Sequence, residues 1–178
     1  SYGGYGATLA TGVTNAVYGD YRSPYELGSG PGTETWHAET AGGGLVRIVA
    51  GAAVVDGAIL ANGGSLPTQY GMTGSGGGVL LDAGVLSGSG SIQANGGDIN
   101  ANSGECGGGG RAAVYYQTLA MFDLAQVIAR GGRASANNPP GAAGSVYLKQ
   151  MSGEGRLIIE NQGIATAAYT PLGIASDA

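Results

Sequence analysis

Four short segments of the chain carry apolar residues at every second position, and a run of small residues ending in glycine precedes each segment. The segments cover residues 45–48, 78–81, 111–114 and 145–148. Because successive side chains of a β-strand point to opposite faces, this alternation predicts four strands with one buried face. The predicted buried face carries eight apolar residues: Val46, Ile48, Val79, Leu81, Ala112, Val114, Val146 and Leu148. The other face mixes charged, aromatic and aliphatic residues, as a solvated outer face does.

These segments recur at a nearly fixed spacing. Val46, Val79 and Ala112 follow one another in steps of 33 residues, and Val146 follows after 34. A second apolar column predicts a second strand in each unit: Ile59, Ile92, Val127 and Ile158. Each unit then closes with a phrase such as Ala61-Asn62-Gly63-Gly64. A fixed period of this length predicts a solenoid, in which each unit buries its apolar side chains against its neighbours.

The pattern predicts one all-β domain over residues 1–178, a right-handed parallel β-helix. We expect an N-terminal entry or capping segment over 1–41, four repeat units over 42–163 and a C-terminal tail over 164–178. Loops of about ten to fifteen residues follow the closing phrases and are expected to leave from one corner, as a variable binding edge. Residues 7–17 are predicted to form a strand, and residues 119–128 a strand and a turn.

Composition fits thin coils better than a layered core of large side chains. The chain contains 38 glycines and one phenylalanine among 178 residues. Its net charge of −5 argues against a nucleic-acid partner, which selects a basic face. No apolar run reaches the roughly 18 residues of a membrane-spanning helix. Scarce cysteine and lysine favour an extracellular or cell-surface location, and the start at Ser1 suggests a trimmed part of a longer product.

The glycine-framed phrases resemble a repeat of very large bacterial surface and secreted proteins. The resemblance rests on residues 42–64, 74–97, 107–116 and 141–149, and it covers roughly residues 1–163. The sequence departs from that repeat at Pro31, at Trp36-His37 and at Ala112-Ala113. The resemblance implies a right-handed parallel β-helix that serves as an extracellular scaffold, adhesin stalk or surface fibre. It brings no catalytic residues with it.

Few residues suggest chemistry. Asp82, with Asp56 or Asp123, would supply the carboxylate pair of a glycan-cleaving enzyme, while solvated turn carboxylates are the alternative. His37 is the single histidine, which excludes a site with several histidine ligands. The glycine run before Arg111 precedes a strand instead of a helix, so it does not predict a phosphate-binding loop. We therefore expect a protein that is not an enzyme.

Two further sites remain open at this level. Asp98, Asn100 and Asn102 place oxygen ligands at alternate positions, as in the first half of a calcium loop. Glu105 comes too early to close such a loop, and side chains of this kind are also common in turns without metal. We expect no cofactor, with calcium as the alternative. Cys106 is either a small residue at a crowded corner or the site of a disulfide between subunits.

The candidates for contact with partners lie towards the two ends of the chain: Tyr2, Tyr5, Trp36, Tyr169, Leu172 and Ile174. The N-terminal tyrosines either cover the end of the solenoid or meet a partner. The tail is too apolar for a free segment and could be a strand donated to the next copy. Head-to-tail stacking would then build a filament, a homopolymer of this chain. The expected function is therefore structural; the alternatives are a carbohydrate- or surface-binding adhesin module and a polysaccharide lyase or hydrolase.

Overall fold

A computed structural model of the chain describes residues 1–8, 14–32, 38–67, 70–100, 104–135 and 138–172. It is an all-β solenoid of about three stacked turns, which confirms the predicted fold class. Of the residues singled out in the sequence, Trp36, His37, Asn102 and Ile174 lie outside the described part. No helix among the described residues is long and apolar enough to cross a membrane.

One wall of the solenoid is a sheet of long strands, one from each of the three turns and one that follows the third turn. Its parallel members are β2 (Leu45–Val54), β5 (Gly78–Ser87), β8 (Arg111–Ala120) and β10 (Ser145–Gln150). Val46 lies opposite Val79, which lies opposite Ala112, which in turn lies opposite Val146. The predicted alignment of this column is therefore confirmed, and its members are buried except Val46 and Ile48 of the first turn, which are partly buried.

Two narrower ladders complete each turn. The first contains β3 (Ala58–Leu60), β6 (Ser91–Gln93) and β9 (Val127–Ile128), which pair in parallel. The second contains β1 (Ala38–Glu39), β4 (Gly71–Met72) and β7 (Gly104–Glu105). Parallel bridges also join Leu66 to Ile99 and Ile99 to Ala134. The loops after the closing phrases are thus partly regular and extend the solenoid.

The interior has two apolar parts. The main core lies between the long strands and the β3–β6–β9 ladder, and its fully buried residues include Val79, Leu81 and Ile92. A smaller core gathers side chains from the loop side: Ala7, Leu66, Ile99 and Cys106.

Glycine segments separate these two cores and bring opposite walls of the coil into backbone contact. We call residues 42–44, 61–64, 74–78, 94–97, 107–110, 131–132 and 141–144 the glycine waist. The N–H of Gly77 donates to the carbonyl of Ala61 at 2.7 Å, and the N–H of Gly110 donates to that of Ala94 at 2.7 Å. A Cβ built on Gly76 would lie 2.1 Å from the carbonyl oxygen of Ala94. The recurrence of glycine is therefore imposed by close approach of the walls.

The fourth unit departs from the prediction. After β10 the chain reverses within a tight turn, where the N–H of Gly153 donates to the carbonyl of Gln150 at 2.9 Å. It returns as β11 (Gly155–Ile158), antiparallel to β10, so that Ile158 lies opposite Val146. The prediction that Ile158 continues the column of Ile59, Ile92 and Val127 is therefore wrong. The turn comes too soon after β10 for the chain to reach the opposite wall.

One further local prediction is wrong, and another is confirmed with a short 3-10 helix added. Residues 7, 8 and 14–17 are not in strands, which contradicts the described part of the strand expected over 7–17. Residues 119–128 contain the end of β8, a short 3-10 helix over Leu124–Gln126 and β9. Asp123 caps that helix, because its Oδ1 accepts the N–H of Ala125 at 2.9 Å.

Candidate assembly interface

The large sheet ends differently on its two sides. Its strand order is β11-β10-β8-β5-β2. On one side the reversed strand β11 covers the edge of β10. On the other side, β2 has no strand neighbour beyond its pairing with β5 among the residues that the structure describes. A ten-residue strand therefore presents an unpaired edge at the first turn.

The hydrogen bonds to β5 fix which backbone groups of β2 face outwards. The carbonyl of Gly44 accepts from the N–H of Gly78, and the N–H of Val55 donates to the carbonyl of Ser87. Because alternate residues of a parallel strand bond the same neighbour, counting forward from Gly44 directs the N–H and C=O groups of Val49 away from β5, and counting back from Val55 does the same for Val54. The alternation breaks between these two residues, at Gly51 and Ala52. Such groups form a template for pairing with another strand.

Outward-facing side chains at this edge are apolar where the next turn is polar. Val49 and Val54 are each 69% exposed, and Leu60 is 55% exposed. One turn later their ladder partners are Asp82, Ser87 and Gln93. At these three positions, polar residues thus replace apolar ones one turn further into the stack. This change indicates that the first turn is the one suited to a covered surface.

The main core is also incomplete at this end. Val46, Ile48 and Ile59 are only partly buried, whereas their ladder partners Val79, Leu81 and Ile92 are fully buried. The difference arises because no further turn lies over β2 and β3 in the described structure. Another layer of protein at this edge would complete the burial of these three side chains.

At the opposite end, β9 borders a groove because β11 follows the long-strand wall. The groove has a volume of about 460 Å³ and is lined by Val127, Val146, Leu148, Ile158 and other residues of β9, β10 and β11. Asn161 closes part of this end, since its Oδ1 accepts the N–H of Gly131 at 2.7 Å. In the preceding turns, main-chain carbonyls accept at this position.

The N-terminal tyrosines that the sequence analysis gave as partner contacts, Tyr2 and Tyr5, pack against other residues of their own chain. Tyr2 is fully buried, with its ring 5.1 Å from that of Tyr18. It is therefore not accessible to a partner in this structure. The ring of Tyr5 packs on Tyr169 with centroids 4.8 Å apart, and its N–H donates to the carbonyl of Tyr169 at 3.2 Å. Tyr169 keeps 67% of its surface exposed.

The C-terminal tail lies against its own chain as far as it is described. Thr166 Oγ1 donates to the carbonyl of Pro140 at 2.7 Å, and Thr170 Oγ1 donates to that of Ala143 at 2.6 Å. Leu172 is half-buried. Residues 164–172 form no strand, so this part of the tail is not presented as a strand for donation.

A buried arginine that the sequence did not single out anchors the N-terminal segment. Arg111 is fully buried; its Nε and Nη2 each donate to the carbonyl of Tyr18 at 3.2 Å, and its Nη1 donates to Ser145 Oγ at 3.2 Å. Its Cζ lies 5.5 Å from the centroid of the Tyr2 ring. Burial lowers the pKa of Arg111 and raises that of Tyr2. The glycine run before Arg111 gave no signal of this role.

The carboxylate of the calcium candidate is already engaged. Asp98 binds both Nη atoms of Arg130, at 2.6 and 2.9 Å, and accepts the N–H of Arg133 at 2.7 Å. Calcium coordination by Asp98 would require this pair to break. Asn100 is exposed. Within the described residues, no group of three or more His, Cys, Asp or Glu is placed to hold a metal.

The three carboxylates considered for catalysis lie in different settings. Asp82 is half-buried on the outer face of β5. Asp56 Oδ1 accepts the N–H of Ser89 at 3.1 Å, at the corner after β2. Asp123 caps the 3-10 helix. Its carboxylate accepts hydrogen bonds from the N–H of Ala125 and the side-chain amide of Gln126, and these bonds lower its pKa. Asp56 and Asp123 thus each stabilise a turn.

Cys106 occupies the position that a threonine holds in each of the two preceding turns. Thr73 Oγ1 donates to the carbonyl of Gly97 at 2.7 Å and accepts the N–H of Gly107 at 2.9 Å. Thr40 makes the corresponding two bonds one turn earlier. Cys106 follows Thr73 by the same 33 residues. Side chains at this position hold the loop side of each turn against the glycine waist.

In the third turn, the Cys106 thiol is the donor in place of the threonine hydroxyl. Cys106 Sγ donates to the carbonyl of Arg133 at 3.2 Å, and the side chain is buried. Burial raises the pKa of this thiol to about 12. A disulfide between subunits would require the corner to open, so the structure supports the small-residue interpretation.

In comparisons with known proteins, neither a family model, nor a curated sequence, nor a solved structure matches this chain.

Proposed function

We propose that this chain is a structural protein without enzymatic activity, a scaffold or stalk element that self-associates through the open end of its solenoid. The observation that carries the proposal is the unpaired edge of β2, flanked by the exposed side chains of Val49, Val54 and Leu60. An extended strand edge with apolar side chains favours pairing with another strand. A scarcity of cysteine and lysine supports placing this scaffold outside the cell or on its surface.

Head-to-tail stacking into a filament is one form that self-association would take. It would set β2 of one copy against β11 of the next, since β11 is the other edge of the large sheet. β11 has four residues and β2 has ten. The two edges are unequal, so the proposal rests on the β2 edge itself and does not depend on that order of stacking.

A pair of variants tests the proposal. Val49→Lys with Val54→Lys places charge on the free edge without touching the ladder to β5, and Asp82→Lys is the control on the same face one turn later. Light scattering after size exclusion should show concentration-dependent association for the wild type and the control. The edge variant should stay at the 17.3 kDa of one chain. A wild type that stays at that mass at every concentration would overturn the proposal.

A further inference from the structure

We infer that the partner of the β2 edge is β2 of a second copy, in antiparallel pairing about a two-fold axis between Gly51 and Ala52. This inference rests on the proposed function and names its contact. The segment around the axis reads Arg-Ile-Val-Ala-Gly and then Ala-Ala-Val-Val-Asp. Read outwards from the axis, the two halves match in kind: small, alanine, two β-branched residues, and a charge of opposite sign.

The faces of the side chains agree with this register. Two-fold pairing sets Val49 opposite the second copy's Val54, and both are exposed on the outer face. It also sets Ile48 opposite Val55, which both face the interior. A strand with strict alternation would not permit both matches, because 48 and 55 differ by an odd number.

A break in the alternation makes the register possible. Gly51 and Ala52 are consecutive exposed residues, and Ala50 and Ala53 on either side of them are partly buried. The inward face therefore changes from even to odd residue numbers at this point. The change lies on the inferred axis, so each half of the strand meets its complement from the second copy on the correct face.

The directions of the backbone N–H and C=O groups support the same register. Val49 and Val54 both direct their N–H and C=O groups away from β5, as the bonds at Gly44 and Val55 require. In the inferred register these two residues face each other across the contact. They therefore form a hydrogen-bonded antiparallel pair, and no sliding of either strand is needed to satisfy the edge.

Charge complementarity fixes the ends of the contact. Arg47 lies opposite the second copy's Asp56, and the two-fold axis produces this pair twice. Both residues are exposed, and Asp56 uses Oδ1 for the N–H of Ser89, which leaves Oδ2 for the guanidinium. Opposite charges directly across an antiparallel pair are favourable, and like charges there are unfavourable. A shift of two residues would lose both ion pairs.

Charge reversal gives a test that only a two-fold contact passes. Arg47→Asp sets two carboxylates opposite each other at both ends, and Asp56→Arg sets two guanidinium groups there. Each variant alone should weaken dimerisation by about a hundredfold. An equal mixture should dimerise like the wild type, because each contact then joins opposite charges. The double variant should also dimerise, and Arg156→Asp on β11 is the control outside the contact.

The outcomes separate the inference from the proposed function. Circular dichroism and melting first establish that each variant is folded. If the folded single variants dimerise as tightly as the wild type, or if their mixture stays monomeric, the two-fold register is overturned. The edge variant Val49→Lys with Val54→Lys would still decide whether self-association uses β2. A wild type that is monomeric throughout overturns both.

Discussion

The glycine waist yields a sharp prediction from two corresponding glycines. Gly44 and Gly77 occupy the same position in successive turns, 33 residues apart. A Cβ on Gly77 would lie 2.0 Å from the carbonyl oxygen of Gly44 and 2.5 Å from that of Gly43. A Cβ on Gly44 would meet nothing within 4 Å, because no described turn precedes it. Neither residue has positive φ, so both substitutions to alanine test packing alone.

Gly77→Ala must push two main-chain carbonyls apart inside the stack. Overpacking in a rigid interior costs about 3 kcal/mol or more when backbone has to move. That is a large share of the roughly 5–15 kcal/mol by which domains are stable. At about 2–4 °C per kcal/mol for a chain of this size, the melting temperature should fall by about 6–12 °C.

Gly44→Ala should raise the melting temperature, whereas Gly77→Ala lowers it. Without a clash, alanine stabilises by about 0.4–1 kcal/mol, because it restricts the unfolded chain. Thermal unfolding followed by circular dichroism measures both variants under the same conditions. Melting temperatures for the two variants that agree within about 2 °C would refute the direct contact of the walls across the waist.

The remaining predictions concern Cys106, Arg111 and Asp98. Cys106→Thr should be more stable than Cys106→Val by about 1 kcal/mol in urea unfolding, since only the hydroxyl donates to the main chain. The folded-state pKa of this thiol is raised from 9.0 to about 12, so its contribution holds below pH 9 and is lost as pH rises towards 12. Between pH 8 and pH 10.5, the free energy of unfolding should therefore fall more for the wild type than for Cys106→Thr. Arg111→Lys should lower the free energy of unfolding by about 2–3 kcal/mol, since one ammonium cannot make the paired bonds to the carbonyl of Tyr18. Limited proteolysis should then cleave the N-terminal segment faster than in the wild type. Unchanged cleavage would contradict the anchoring role of Arg111. Added calcium should leave the melting temperature unchanged, because Asp98 is bound to Arg130, and an upward shift would refute that assignment.

The repeat was sufficient to predict the stacked walls. Val46, Val79 and Ala112 stand at equal steps, and a ladder of parallel strands follows when equal steps meet strand alternation. The reversal at β11 was harder to foresee, because Ile158 still fits an apolar column. Its step of 31 residues, against 33 and 35 before it, was the available signal.

The candidate interface could not be predicted from the sequence alone. Arg47 and Asp56 are ordinary surface charges in the sequence, and the complementarity between them depends on which edge of β2 is unpaired. The break in alternation at Gly51 and Ala52 also becomes visible only when burial is known. Likewise, Arg111 is buried because the N-terminal segment lies over the start of β8, a long-range contact that no local pattern encodes.

Disulfide trapping across the β2 edge tests whether two copies pair through β2 in the two-fold register. In a Cys106→Thr background, Val49→Cys and Val54→Cys are prepared as separate single variants and oxidised alone and as a mixture. The inferred register brings residue 49 of one copy and residue 54 of the other to the roughly 5.5 Å between Cα atoms of a hydrogen-bonded pair, within disulfide reach. The mixture should give a disulfide-linked dimer of twice 17.3 kDa, and either variant alone should give little of it. A mixture that does not cross-link, or single variants that cross-link equally well, would refute the two-fold pairing of β2.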